Sequence, residues 1–213
     1  MVFIDFNWTP ILIPFVIGIK HFCKLDRSFK ILFFFVLSGT ITEITGLLTR
    51  HLFDAKNTMP ISNFYLMVAF ALLTWFYIRI LNGLIRSSWL WLIVIIFEFG
   101  VLINLLIIGS LKVYLFIPQT ISKIFFLFYS LAFFHKVMIE AKIKDLWKDE
   151  FFLVNIGVLI YYSGNIFFSV LFNIILAYSR EFSKITVMYF SALNTIFYLL
   201  IAWSMYIHQK KNS

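Results

Sequence analysis

The sequence predicts an all-α polytopic membrane protein, a bundle of seven transmembrane helices with its N-terminus outside and its C-terminus in the cytoplasm. Three observations carry that expectation. Of 213 residues, 62% are hydrophobic and only 13% charged, with a mean hydropathy of +0.95, whereas a soluble domain is about a quarter charged. Seven apolar stretches fill nearly the whole length, each on the scale needed to cross hydrocarbon as a helix. Basic residues collect in alternate loops, the pattern that fixes orientation in a membrane.

The first stretch, residues 8–22, holds Pro14 and Gly18, with Trp8 as an interface anchor and Lys20, Lys24, Arg27 and Lys30 following. Because MVFIDFNWTP lacks a basic n-region and a small-residue cleavage site, this stretch is expected to stay as a helix. The second, 31–50, is the most informative. On a helix Gly39, Glu43, Gly46 and Arg50 share one stripe, and Ser38, Thr42, Thr45 and Thr49 the next. Small residues allow close helix approach in lipid, and a carboxylate there needs a partner or a proton. This face is therefore expected to look into protein.

A third stretch, 63–78, closes on Trp75, Tyr77 and Arg79; the fourth, 89–110, starts on Trp89 and Trp91 and carries Glu98, Gly100 and Asn104. The fifth, 114–138, places Gln119, Ser122, Lys123 and Ser130 on one side. Over 138–150 the pattern changes. Ile139, Ile143, Leu146 and Trp147 recur at helical spacing, with Lys136, Glu140, Lys144 and Lys148 on another face, which predicts an amphipathic segment lying on the membrane surface. The sixth stretch, 151–178, aligns Asn155, Tyr162, Asn165, Ser169 and Asn173, and the seventh, 185–207, carries Ser191, Asn194, Thr195 and Tyr198.

Twelve of the eighteen Lys and Arg residues fall in one alternate set of loops, among them Arg79, Arg86, Lys136, Lys142, Lys144, Lys148, Lys210 and Lys211. The other side holds Arg50, Lys56, Lys112, Arg180 and Lys184, and Lys123 lies within a span. The positive-inside rule then puts YIHQKKNS in the cytoplasm. At about 1.5 Å per residue, Glu43, Lys123 and Glu98 lie roughly 10, 13 and 17 Å below the outer ends of their helices. Opposite charges at matched depth predict a central polar cluster of Glu43, Glu98, Lys123, Asn165, Asn194 and Tyr162, either a structural neutralisation or an ion or ligand site.

Other chemistries find little support. Cys23 has no partner for an internal disulfide and no CxxC or Cys/His metal spacing surrounds it. His21, His135 and His208 fall at cytoplasmic ends, where they could meet Glu150 as a metal site, but no HxxxH or HExxH spacing accompanies them, and neither a metal nor a cofactor is expected. The last span has no lysine for a retinal Schiff base. Ser163 in YYSGN lacks the glycine-flanked pattern of an intramembrane serine protease, and there is no GxGD, no phosphate-binding loop and no proline-glutamine repeat. Direct nucleic-acid binding is not expected, since the apolar stretches leave no room for a soluble module.

The segments KLDRSFKILFFFVLSGTITEITG, NFYLMVAFALLTWFY and LIYYSGNIFF carry a resemblance. The chain resembles a family of small uncharacterised bacterial seven-helix integral membrane proteins, in which a Leu-Asp-Arg turn leads into a helix ending in Thr-Glu and a Tyr-Ser-Gly helix comes near the end. The likeness covers the second, third and sixth stretches. It implies the seven-helix architecture and weight on Glu43, but no reaction. Where the family has a Glu shortly after Tyr in its third span, this chain has Ala69 before Phe70, which removes one intramembrane acid.

The leading expectation is a non-enzymatic module of the bacterial cytoplasmic (inner) membrane. It would act as a sensor, accessory or effector with a protein partner on its cytoplasmic face, with a role in antiviral defence as one form of this. Lys136, Lys144, Lys148 and Trp147 would meet that partner or membrane lipid, and Gly-containing helix faces suit homo-oligomers. The alternative is an ion channel or small-solute carrier using the polar cluster. A second alternative is a lipid-modifying enzyme with Glu43 as base.

Overall fold

The computed structural model describes residues 9–52, 57–108, 111, 113–140, 145–176 and 180–211; of residues 108, 167–176, 180–184, 186 and 187 it describes the backbone alone. All described elements are helical. A 3₁₀ turn (Thr9–Ile11) precedes α1 (Leu12–Lys20), and a second (Phe22–Lys24) leads to α2 (Arg27–Leu52). Then come α3 (Met59–Ile80), α4 (Ser87–Ile108) and α5 (Phe116–Glu140), a 3₁₀ turn (Leu146–Lys148), α6 (Glu150–Leu176) and α7 (Arg180–Lys211).

Five helices, over Arg27–Leu52, Met59–Ile80, Ser87–Ile107, Phe116–Glu140 and Met188–Lys211, are long and apolar enough to cross a membrane. The apolar segment Thr9–Lys20 is shorter; at about 1.5 Å per residue it reaches roughly 18 Å, short of a hydrocarbon core of about 30 Å, whereas the backbone of α6 continues past Ile166 to Leu176. The protein is thus helical, with several helices fit for a membrane.

Caps explain where helices begin. The Asp26 carboxylate accepts the Phe29 N–H at 2.8 Å, which starts α2 a turn before its apolar run. Asn57 Oδ1 accepts the Met59 N–H at 2.8 Å, and Pro60 occupies the first turn of α3, where its missing N–H costs nothing. Asp149 takes the Phe152 N–H at 2.7 Å and opens α6. In the predicted surface segment over 138–150, the first residues continue α5 to Glu140 and residues 146–148 form a single 3₁₀ turn.

The chain divides into two compact units, Asp26–Ser122 and Met1–Leu25 with Lys123–Ser213. In the first, α2 packs on α3 and α3 on α4. Phe29, Leu32, Phe33 and Val36 recur at helical spacing along the buried side of α2, and Phe70, Leu73, Phe76 and Tyr77 do so on α3. Phe70 stacks on Phe97 of α4 at 3.8 Å between centroids. Between α3 and α4 the chain turns at Gly83, whose φ of +91° suits a residue without Cβ. Asn63 Nδ2 donates to the Leu111 and Val113 carbonyls at 3.0 and 3.1 Å, tying the connection after α4 to the start of α3.

In the second unit α7 packs along α6 and against α1. Gly164 sets how closely α6 and α7 approach, because a Cβ there would lie 2.5 Å from a Leu193 methyl. Tyr161 stacks on Phe197 one turn away. Ser130 of α5 donates to the Asn155 carbonyl at 2.9 Å, joining α5 to α6.

Candidate functional site

The six residues expected to form one polar cluster divide between the units. Glu43 and Glu98 belong to Asp26–Ser122, while Lys123, Tyr162, Asn165 and Asn194 belong to the other.

Glu43 is exposed on α2, together with Ile41, Ile44, Thr45, Leu48 and Arg50. Of the stripe expected to face protein, Gly39 and Gly46 are buried while Glu43 and Arg50 are exposed. The hydroxyls beside it are satisfied locally, Thr42 donating to the Ser38 carbonyl at 2.9 Å and Thr49 to that of Thr45 at 2.7 Å. Arg50 acts on Glu43 through its charge while its own Nε donates back to the Gly46 carbonyl at 3.2 Å. Among the described residues Glu43 has no hydrogen bond and no ion pair.

Glu98 has the opposite setting and the same deficit. Both of its carboxylate oxygens are buried and neither has a hydrogen-bond partner among the described residues. Asn104 Oδ1, also on α4, and Asn63 Oδ1 on α3 share that condition. Orphaned polar atoms of this kind cost about 1–3 kcal/mol each and ask for an explanation.

In the other unit the polar residues are served by their own helix. Asn165 Nδ2 donates to the Tyr161 carbonyl at 2.8 Å, one turn back, as Asn155 Nδ2 does to Phe151. Tyr162 is buried with its ring 4.8 Å from that of Phe126, Lys123 is 8% exposed, and Asn194 is half-buried. The side chains of Ser169 and Asn173, like Lys144, Lys56 and Lys112, lie outside the described residues.

The most complete polar assembly is one the sequence reading only partly anticipated. Glu150, 8% exposed at the first position of α6, meets the last turns of α7. His208 Nδ1 lies 3.4 Å from its Oε1, the Lys211 ammonium donates to its other oxygen, and Ser204 Oγ donates to its backbone carbonyl at 2.9 Å. Burial raises the affinity of Glu150 for a proton, but the hydrogen bonds from Lys211 and His208 outweigh it and hold the carboxyl below the usual range. The neighbouring Asp149 shifts the other way, pushed up by burial and by the Glu150 charge against the help of the Phe152 N–H. From the sequence Glu150 could meet His208, His21 and His135 as a metal site, although no metal is expected there. The structure pairs Glu150 with His208 but supplies an ammonium as the third group, and no cluster of three or more His, Cys, Asp or Glu able to hold a metal occurs among the described residues.

Beside this clasp, the Leu146–Lys148 turn packs on α6 and carries an outward aromatic. Trp147 is 70% exposed, yet its ring meets Phe152 edge-on at 6.3 Å. Lys148 pairs with Asp145 at 2.7 Å and Lys136 lies 3.8 Å from Glu140; both pairs are largely in the open and worth little in stability. No protein-family model, no curated protein and no solved structure matches the chain.

Proposed function

We propose that this protein is a non-enzymatic, seven-span module of the bacterial cytoplasmic membrane, with its C-terminus inside. It acts as a sensor, accessory or effector through a protein partner at its cytoplasmic face. The observation that supports the reading best is Trp147, 70% exposed on a turn that α6 backs and the Glu150 clasp adjoins. An aromatic held out on a fixed support with a cation beside it has the make-up of an interface hot spot. Anchoring to lipid headgroups would use the same residues, and the test separates the two. Wild-type protein purified from native membranes should retain a stoichiometric protein partner that Trp147→Ala, still folded, loses. Absence of any stoichiometric partner from the wild type overturns the reading. In the antiviral form of this proposal the protein matters only during infection, and equal phage plating with and without it removes that form.

A second reading, an ion channel or small-solute carrier, draws on Glu98, whose buried oxygens lack a partner among the described residues. Its test is ion flux in proteoliposomes. Flux lost in folded Glu98→Gln or Lys123→Met would support it, and no flux from the wild type would remove it.

A further inference from the structure

Helices α3 and α4 carry buried oxygens that the fold leaves without a partner. Asn63 Oδ1, Thr74 Oγ1, Asn104 Oδ1 and both carboxylate oxygens of Glu98 have no hydrogen-bond partner among the described residues. No buried side-chain nitrogen among the described residues shares that condition. Polar side chains kept inside a membrane at such a cost mark ion and substrate pathways.

The stack of Phe70 on Phe97 sets the register of the two helices. Joined by residues 81–86 and packed on each other, α3 and α4 run antiparallel. Asn63 lies seven residues before Phe70 and Asn104 seven after Phe97, so both stand about 10 Å along the pair from the stack, on the same side of it. Thr74 follows Phe70 by four residues, about 6 Å to the other side, and Glu98 adjoins Phe97. Steps of four and seven keep Asn63 and Thr74 on the stripe of Phe70 and Asn104 on that of Phe97, and Glu98 borders the latter between the buried Val94 and Val101. The oxygens therefore form a row of three levels over about 16 Å of the helix pair.

The chemistry of this row selects a cation. Its members are a carboxylate, two amide carbonyls and a hydroxyl, all of which offer lone pairs, and the Asn63 amide nitrogen is already engaged by the Leu111 and Val113 carbonyls. Glu98 is the only acid from residue 59 to residue 108, and the basic residues of that stretch, Arg79 and Arg86, lie at or beside the connection between the helices. One carboxylate balances one positive charge, whereas a divalent ion such as calcium draws on several carboxylates.

We propose that the solute of the channel or carrier reading is a monovalent cation, which passes along the α3–α4 pair with Glu98 as its charged station and Thr74 and the Asn63–Asn104 pair as neutral stations on either side. The proposal rests on that reading and adds the sign of the ion and its route. The full chain in phosphatidylcholine proteoliposomes is given, in separate arms, a sodium or potassium gradient and a chloride gradient, each read by a voltage-sensitive dye, and a proton gradient read by an entrapped pH dye.

Cation flux should exceed chloride flux, and the arm that conducts tells an alkali ion from a proton. It should fall about tenfold or more in Glu98→Gln and about threefold in Thr74→Val and in Asn104→Leu, as charged and neutral partners of the ion are lost. Thr74→Val keeps the shape of the side chain, so its melting temperature should stay at or above that of the wild type while its flux falls; a purely structural role would not lower the flux. Chloride flux without cation flux, or cation flux that survives Glu98→Gln, overturns the proposal and leaves the channel or carrier reading standing. Flux that Glu98→Gln lowers but Thr74→Val and Asn104→Leu both leave unchanged overturns the route. No ion flux from the folded wild type overturns the proposal and the reading together.

Discussion

Glu150 and Glu98 are the same side chain in two regions of one chain, and their circumstances differ in nearly every respect. Glu150 sits at the start of α6, where an imidazole and an ammonium from α7 reach its two oxygens and a serine serves its carbonyl. Glu98 lies mid-way along α4 with both oxygens buried and unbonded among the described residues. Glu43, in the same unit, is exposed and equally unbonded. The unit that joins α6 to α7 meets the needs of its buried acid internally. In the unit of α2 to α4 neither Glu98 nor Glu43 has a hydrogen-bond partner among the described residues.

Stability measured on the detergent-solubilised protein breaks or sharpens this comparison. The largest effect is expected at the clasp. Glu150→Leu leaves the buried His208 without its partner, while the half-exposed Lys211 can turn to water, and should cost about 2–3 kcal/mol, read as a lowered melting temperature. Gly164→Val comes next, because its Cβ would press on Leu193 where the helices are closest; overpacking of this kind costs about 1–3 kcal/mol. Glu98→Leu should change stability in the opposite direction, raising it by about 1–3 kcal/mol as the orphaned oxygens disappear. Glu43→Leu, on an exposed face, should move the melting temperature of the isolated chain by no more than about 0.5 kcal/mol in equivalent stability.

Acid offers a finer probe. The folded-state affinity of Glu150 for a proton is lowered, so its stabilisation is fully present above the ordinary value of 4.5 and is lost as pH falls through the lower folded value. Asp149 has the contrary sign: raised above 3.8, its ionised form weakens the fold, and acid relieves that strain. Melting curves followed below pH 5 should show acid destabilisation that Glu150→Gln flattens and Asp149→Asn steepens.

The helices were legible because apolar runs of span length announce themselves, and all seven expected stretches hold a helix. Their exact starts were less so. They depend on single polar side chains, Asp26, Asn57 and Asp149, lying just outside the apolar runs. Periodicity marks a polar side of α2, but it carries no information about what stands opposite: Gly39 and Gly46 of that stripe are buried, while Glu43 and Arg50 are exposed. The clasp was half visible. Glu150 and His208 stood out as polar groups at the ends of apolar runs, whereas the part played by Lys211 depends on how α6 and α7 align, which is set by close approach at Gly157 and Gly164. The first stretch was too generous. Within it, residues 9–22 form a 3₁₀ turn, a nine-residue helix and the start of another turn, because Pro14 and Gly18 add apolar length without adding helix strength.

The sign of two melting shifts tests the central claim most directly. With Glu98→Leu and Glu150→Leu measured in the same detergent, the first should melt at or above the wild type and the second well below it. A fall for Glu98→Leu comparable to that for Glu150→Leu would contradict the account, since Glu98 would then be satisfied within the fold after all.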